Sequence, residues 1–189
     1  GHGALPNKCV DTILLASHII VALQQIISRN ADPTIPSVLT FGNIEGYGAT
    51  NIIPEEVKIK GTFRTFDEKW RADAKKKMKK MAEMLAEAMG GSCDFNIHDG
   101  YPFLTNDETT TQLAWDSAND FLGEDKVHPL DLRMTSEDFA YYSHEMPSCF
   151  YRLGIANTPK GINSGLHTNN FDIDHEALRT SIGLMSYIA

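Results

Sequence analysis

From Glu56 to Phe66 the chain alternates without a break: Val57, Ile59, Gly61 and Phe63 fall on one side, Lys58, Lys60, Thr62 and Arg64 on the other. Period two with one apolar face demands a half-buried strand and excludes a helix over these residues. Ser37 to Glu45 repeats the rhythm, with Leu39 and Phe41 on one face and Val38 and Thr40 on the other, so the two runs read most simply as an antiparallel pair. Asp67 follows as an N-cap, opening a helix that runs to about Met89, where Gly90-Gly91 is the stop signal.

Upstream, Val10 to Ser28 reads as a helix with Asp11 or Thr12 near its start, apolar on too many faces for a surface helix with a single buried side, and ended by Pro33 and Pro36. Downstream, Cys93 to His98 reads as a short strand that stops at Gly100-Tyr101-Pro102. Residues 1–103 thus run helix, strand, strand, helix, strand. One strand in front of Gly1 would complete the split βαββαβ sandwich of ferredoxin-like type. Residues 104–189 form a second unit: a helix over Asp107 to Leu122, a strand over Val127 to Met134, a helix from Ser136 to Ser143, a short strand over Ser148 to Leu153, a loop carrying His167, and a closing helix from Asp174 to Ala189. This is an α/β rhythm, but with too few strands for a sheet covered on both faces.

A net charge of −8 argues against nucleic acid, because phosphate binding needs clustered Lys and Arg. The one basic run, Lys75 to Lys80, lies in a helical pattern and reads as a solvated face. Ser17 and His18 interrupt the longest apolar stretch, so no membrane span is expected, and no leader pattern opens the chain. Cys9, Cys93 and Cys149 are odd in number, with no CxxC spacing, which points to free thiols in a reducing, cytoplasmic compartment.

His167 is the residue whose surroundings suit a metal. Gly165 allows a sharp turn before it, and Asn169, Asn170, Asp172 and Asp174 supply acceptors that could orient an imidazole. The other reading is a surface histidine in a polar loop. His18, His98, His128, His144 and His175 show no ligand spacing. Ser136-Glu137-Asp138 reads either as an N-cap with an acidic first turn or as an acidic contact near a metal.

His2-Gly3-Ala4-Leu5-Pro6, Asn51-Ile52-Ile53-Pro54, Gly61-Thr62-Phe63-Arg64, Ser136-Glu137-Asp138-Phe139, Phe150-Tyr151-Arg152-Leu153-Gly154 and Leu166-His167 ahead of Phe171-Asp172 resemble, in order and spacing, the metallo-amidohydrolases that include aminoacylase, hippurate hydrolase, the auxin-conjugate hydrolases and the carboxypeptidase G type. The resemblance implies an α+β lid that dimerises, residues 1–103 without the first strand, and the C-terminal segment of a zinc-peptidase α/β catalytic domain, residues 104–189. It implies a metal-dependent amidohydrolase that cleaves N-acyl amino acids or small peptides. His167 is then a ligand to one of two divalent ions, zinc, manganese, cobalt or nickel. His2 donates to the developing oxyanion, commonly of the neighbouring subunit, while Asn51 and Arg64 bind the substrate carboxylate. The remaining ligands and the glutamate base of this family have no match here, so the chain alone is expected to be inactive. Where relatives of the auxin-conjugate type often carry a second histidine after the HGAxP run, this chain has Asn7.

Two features point to a homodimer: the helix at 10–28 and the edge formed by strand 37–45, with Leu39 expected at the contact. The alternative to the enzyme is a non-catalytic dimerising module that binds a small acid or a protein.

Overall fold

The computed structural model describes residues 1–189, a mixed α and β fold in two compact units. Unit 1 comprises Gly1–Phe103 with Met134–Ser136, and unit 2 comprises Leu104–Arg133 with Glu137–Ala189.

In unit 1, helix α1 spans Thr12–Gln25, and Asp11 caps it by accepting the Leu14 N–H at 2.9 Å. A π-helical turn, Ile26–Asn30, finishes it. Strands β1, Ser37–Glu45, and β2, Lys58–Thr65, pair antiparallel. Helix α2 spans Glu68–Ala88, with the Asp67 carboxylate accepting the Trp70 N–H at 2.7 Å and Gly90 leaving the helix at φ +79°.

The core lies between the two helices and the sheet. From α1 come Leu15, Ile19, Leu23 and Ile26, and from α2 come Ala74, Met78, Ala82 and Ala86, all buried. Both rows step mainly by four residues, so i±4 ridges meet, and alanines on α2 let the branched side chains of α1 approach closely. Each buried Leu or Ile contributes about 1.5–3 kcal/mol. Leu39, Phe41 and Phe63 lean on this layer from the sheet. Leu39 is therefore a core contact and not a dimer contact, because the alternation that turns Phe41 inward turns Leu39 inward too. An irregularity at Gly42 lets Phe41 pair with Gly61 while Asn43 pairs with Lys60. At Gly61 a Cβ would sit 2.6 Å from the Thr40 carbonyl and 2.8 Å from Phe41 Cδ1, so glycine is needed for that close approach.

The expected strand at 93–98 is absent. Cys93 and Phe95 still lean on the core while Ser92 and Asp94 are exposed, but no neighbouring backbone supplies ladder hydrogen bonds, and alternation alone does not make a strand. The following residues are fastened along α2: Asp99 pairs with Lys75, the Tyr101 carbonyl accepts from Arg71 at 2.8 Å, and Phe103 N–H donates to Glu68 at 3.4 Å.

Thr12–Asn30 is long and apolar enough to cross a membrane by length and composition, against the expectation from its Ser17 and His18. Two polar residues do not lower an average set by so many Ile, Leu, Val and Ala. Its inner row is the core contact just described.

In unit 2, α3 spans Glu108–Leu122, capped by Asp107, which accepts the Thr110 N–H at 2.8 Å, and stopped by Gly123 at φ +94°. α4 is a short helix, Ala140–Glu145, and α5 spans Glu176–Ile188. α3 and α5 meet where Phe121 lies against Tyr187 at 5.5 Å between ring centres; a Cβ on Gly183 would stand 2.7 Å from the Phe121 ring. Only three apolar side chains of the unit, Ala114, Ala140 and Leu184, are buried. Leu178, Ile182 and Met185 instead form an open stripe on α5, 54%, 70% and 55% exposed.

The expected strands at 127–134 and 148–153 do not form. In place of a neighbouring strand, the Asn106 side chain donates to the Phe150 carbonyl at 2.9 Å and accepts its N–H at 2.8 Å, while Asp107 N–H donates to Ser148. The helix expected from Ser136 begins at Ala140, with no side-chain cap.

Candidate functional site

The first three residues run antiparallel beside the 51–53 segment. Ile53 N–H donates to the Gly1 carbonyl at 2.8 Å, Gly3 N–H donates to the Asn51 carbonyl at 2.8 Å, and His2 bridges Ile52. The 51–53 segment is itself bent back, since Ala49 and Ile52 exchange both backbone hydrogen bonds at 3.0 Å, leaving Asn51 in the turn. His2 and Asn51, 49 positions apart, are thereby brought onto one small ribbon of unit 1.

His2 Nδ1 accepts the Ala4 N–H at 3.1 Å. A neutral imidazole that accepts at one nitrogen carries its proton on the other, so Nε2–H is left as a donor on an exposed ring. This is the form an oxyanion-stabilising histidine needs.

Arg64 lies on β2 opposite Val38, on the sheet face turned away from the helices. Arg64 as a residue is half-buried, and its guanidinium has no acidic partner within the chain. Five N–H donors held on a strand with no internal acceptor make a site for an external carboxylate. Nothing in unit 1 joins Arg64 directly to the His2–Asn51 ribbon.

His167 belongs to unit 2. It is the one non-glycine residue with positive φ, +63°, and its ring is exposed. Left-handed backbone at a side-chain-bearing residue is uncommon and collects at functional positions, where the surroundings hold it. Two local turns shape its loop: Thr168 Oγ1 donates to the Gly165 carbonyl at 2.7 Å, and Phe171 N–H to the Thr168 carbonyl at 3.2 Å.

No group of three or more His, Cys, Asp or Glu side chains converges in a way that could hold a metal ion. The donors of this chain do not by themselves fit a metal, since a catalytic site draws on about three protein ligands and His167 stands alone. Glu137 and Asp138 lie in the turn ahead of α4, where Glu137 accepts its neighbour's N–H at 3.1 Å. Their position next to a helix start that lacks a side-chain cap supports neither reading of that motif.

Asp174 has partners that no family motif marks. Its carboxylate accepts from Asn157 Nδ2 at 2.5 Å and from Lys160 Nζ at 2.9 Å, and its N–H donates to the Ile155 carbonyl at 2.9 Å. The Asn157 bond, then the Lys160 bond, hold the Asp174 carboxyl down at about 2. The signal was Asn157-Thr158-Pro159-Lys160-Gly161, a capped turn whose glycine sits at φ +76°.

Residues 1–92 match the peptidase dimerisation domain family of the M20 peptidases. Along its whole length the chain is 34% identical to an IAA-amino acid hydrolase of Arabidopsis thaliana, covering 44% of that protein. Over 81% of its length it is 39% identical to the N-acetyl-L-cysteine deacetylase of Bacillus subtilis, covering 36% of it. Among solved structures, a dinuclear metal-binding peptidase of the M20 family from Bacillus subtilis superposes with a TM-score of 0.69 at 26% identity, over 95% of this chain and 45% of that one. The chain spans about half the length of the curated relatives it matches.

Proposed function

Because residues 1–92 are an M20 peptidase dimerisation domain, in a chain whose relatives are amidohydrolases and M20 peptidases, we propose that it is the dimerising and substrate-gripping part of a metal-dependent amidohydrolase acting on N-acyl amino acids or small peptides. The observation that carries this reading is the state of His2, whose ring is left with an outward Nε2–H donor by the Ala4 N–H. Arg64, with no acid to pair with in the chain, is the receptor for the substrate carboxylate, and Asn51 sits beside His2 to bind the same end of the substrate. His167 contributes one donor to a metal centre whose other ligands come from beyond these residues. The open stripe of α5 is the surface on which the rest of that catalytic domain lies.

The homodimer in this reading forms along the free edge of β1 and the outer side of α1, where Leu14 and Val21 are exposed. A non-catalytic module would share this dimer, but it gives no reason for an outward histidine donor and an unpaired arginine on the same unit.

The test is kinetic. In the complete enzyme carrying this chain, His2→Ala is expected to lower kcat by about 10²–10³-fold with little change in KM, the loss of one oxyanion donor. Arg64→Ala should raise KM for an N-acyl amino acid and leave its amide analogue, which lacks the carboxylate, unaffected. An unchanged kcat in the first variant removes the oxyanion role.

A further inference from the structure

Asp174 accepts the Glu176 N–H at 3.4 Å ahead of α5, and the structure assigns it a role beyond that contact: we propose that it is the positioning residue of His167, clasping the base of the loop so that His167 keeps its left-handed backbone. This rests on the reading of His167 as a metal donor only for its catalytic meaning. The clasp itself is visible in the geometry.

The turn 157–162 is closed on both sides, Asn157 N–H donating to the Ile162 carbonyl at 2.7 Å and Ile162 N–H to the Asn157 carbonyl at 3.0 Å. Asp174 is then tied to this turn at three points: Asn157 Nδ2, Lys160 Nζ and, just before it, the Ile155 carbonyl. Its side chain is only 15% exposed. The chain leaves this knot after Ile162 and returns to it at Asp174, with His167 close to midway between. Inside that interval the hydrogen bonds are local, Thr168 to Gly165, Phe171 to Thr168, and Ile173 N–H to Asp172. What limits the loop is therefore the fixed separation of its two ends. A positive φ at a non-glycine residue persists only where the surroundings over-determine it. Asp174 supplies that constraint with a side chain long enough to reach across the loop base, which capping alone does not require.

The experiment is heteronuclear NMR of the 189-residue chain. Asp174→Ser keeps a helix-capping hydroxyl but is too short to reach Asn157 and Lys160. The expected result is that the His167 Cα and Cβ shifts move from left-handed to coil values and the Phe171 amide loses about tenfold or more of its exchange protection, while the α5 and Ala114 signals stay in place. Exchanging the two partners, Asn157→Asp with Asp174→Asn, keeps an acid and an amide facing each other, and should preserve the native His167 shifts. Native His167 shifts in Asp174→Ser, or coil shifts in the exchanged pair, overturn the proposal. The ligand role is read separately, from the metal content of the complete enzyme: His167→Ala should lose about one equivalent, and Asp174→Ser should retain metal with weakened affinity. Full metal content in His167→Ala would remove the donor reading and leave the clasp standing.

Discussion

Replacing Leu23 by alanine is expected to destabilise unit 1 by about 3–4 kcal/mol. Leu23 is 1% exposed, in a cluster whose α2 side is Ala74, Met78, Ala82 and Ala86. Leu→Ala changes in cores cost about 2–5 kcal/mol, and the upper part of that range applies where neighbours cannot close the cavity. Here three of the four buried α2 residues are alanines, whose methyl groups are too short to swing in, and among those four only Met78 is flexible enough to respond. The assay is urea unfolding followed by Trp70, which reports on unit 1 through its edge-on contact with Phe63 at 6.5 Å and its bond to Ser37 at 3.0 Å; Trp115 of α3 is first replaced by Phe. With a slope of about 1.5–2 kcal/mol/M, the midpoint should fall by roughly 2 M. Val21→Ala, on the same helix at a side chain 72% exposed, should stay within about 0.5 kcal/mol. A drop below about 0.5 M for Leu23→Ala, or equal drops for both variants, would refute the assignment of the inner face of α1.

Val21→Lys is expected to leave the Trp70 transition in place and to convert a dimer to a monomer in sedimentation equilibrium; a persistent dimer would move the interface elsewhere. The loop base of unit 2 should respond to acid in a defined direction. Because Asp174 titrates at about 2, below its ordinary 3.8, its contribution is complete above about pH 4 and is lost as pH falls through about 2. Exchange protection of the Phe171 amide should follow that course, and Asn157→Ala, which removes the larger cause of the depression, should move the loss to higher pH.

What could be read from the sequence was local. Asp11, Asp67 and Asp107 stand where an N-cap belongs, and each accepts the N–H three residues on. The alternation of 57–64 and 37–41 needed no partner to be recognised, since each run declares its own inner face. Strands at 93–98, 127–134 and 148–153 failed for the opposite reason: a strand is made by its neighbour, and an apolar alternating run without one stays irregular. Leu39 faces the core although it lies on an edge strand, because an edge concerns backbone hydrogen bonds while the side chains still alternate. Among the site residues, the chemical types were visible, but the His2–Asn51 ribbon, the Ala4 N–H on the imidazole and the φ of His167 are properties of backbone paths that no spacing encodes.

The row of α1 that Leu23 belongs to has a consequence during synthesis. Its partner row on α2 is not complete until Ala86 has been added, some 60 residues after Gln25. At ribosomal speeds of about 5–20 residues per second, that is roughly 3–12 s in which one of the most apolar helices of the chain has been made without the α2 row that packs on it. Nascent chains of this protein should therefore depend on a holding chaperone over that interval more than its finished, acidic surface would imply.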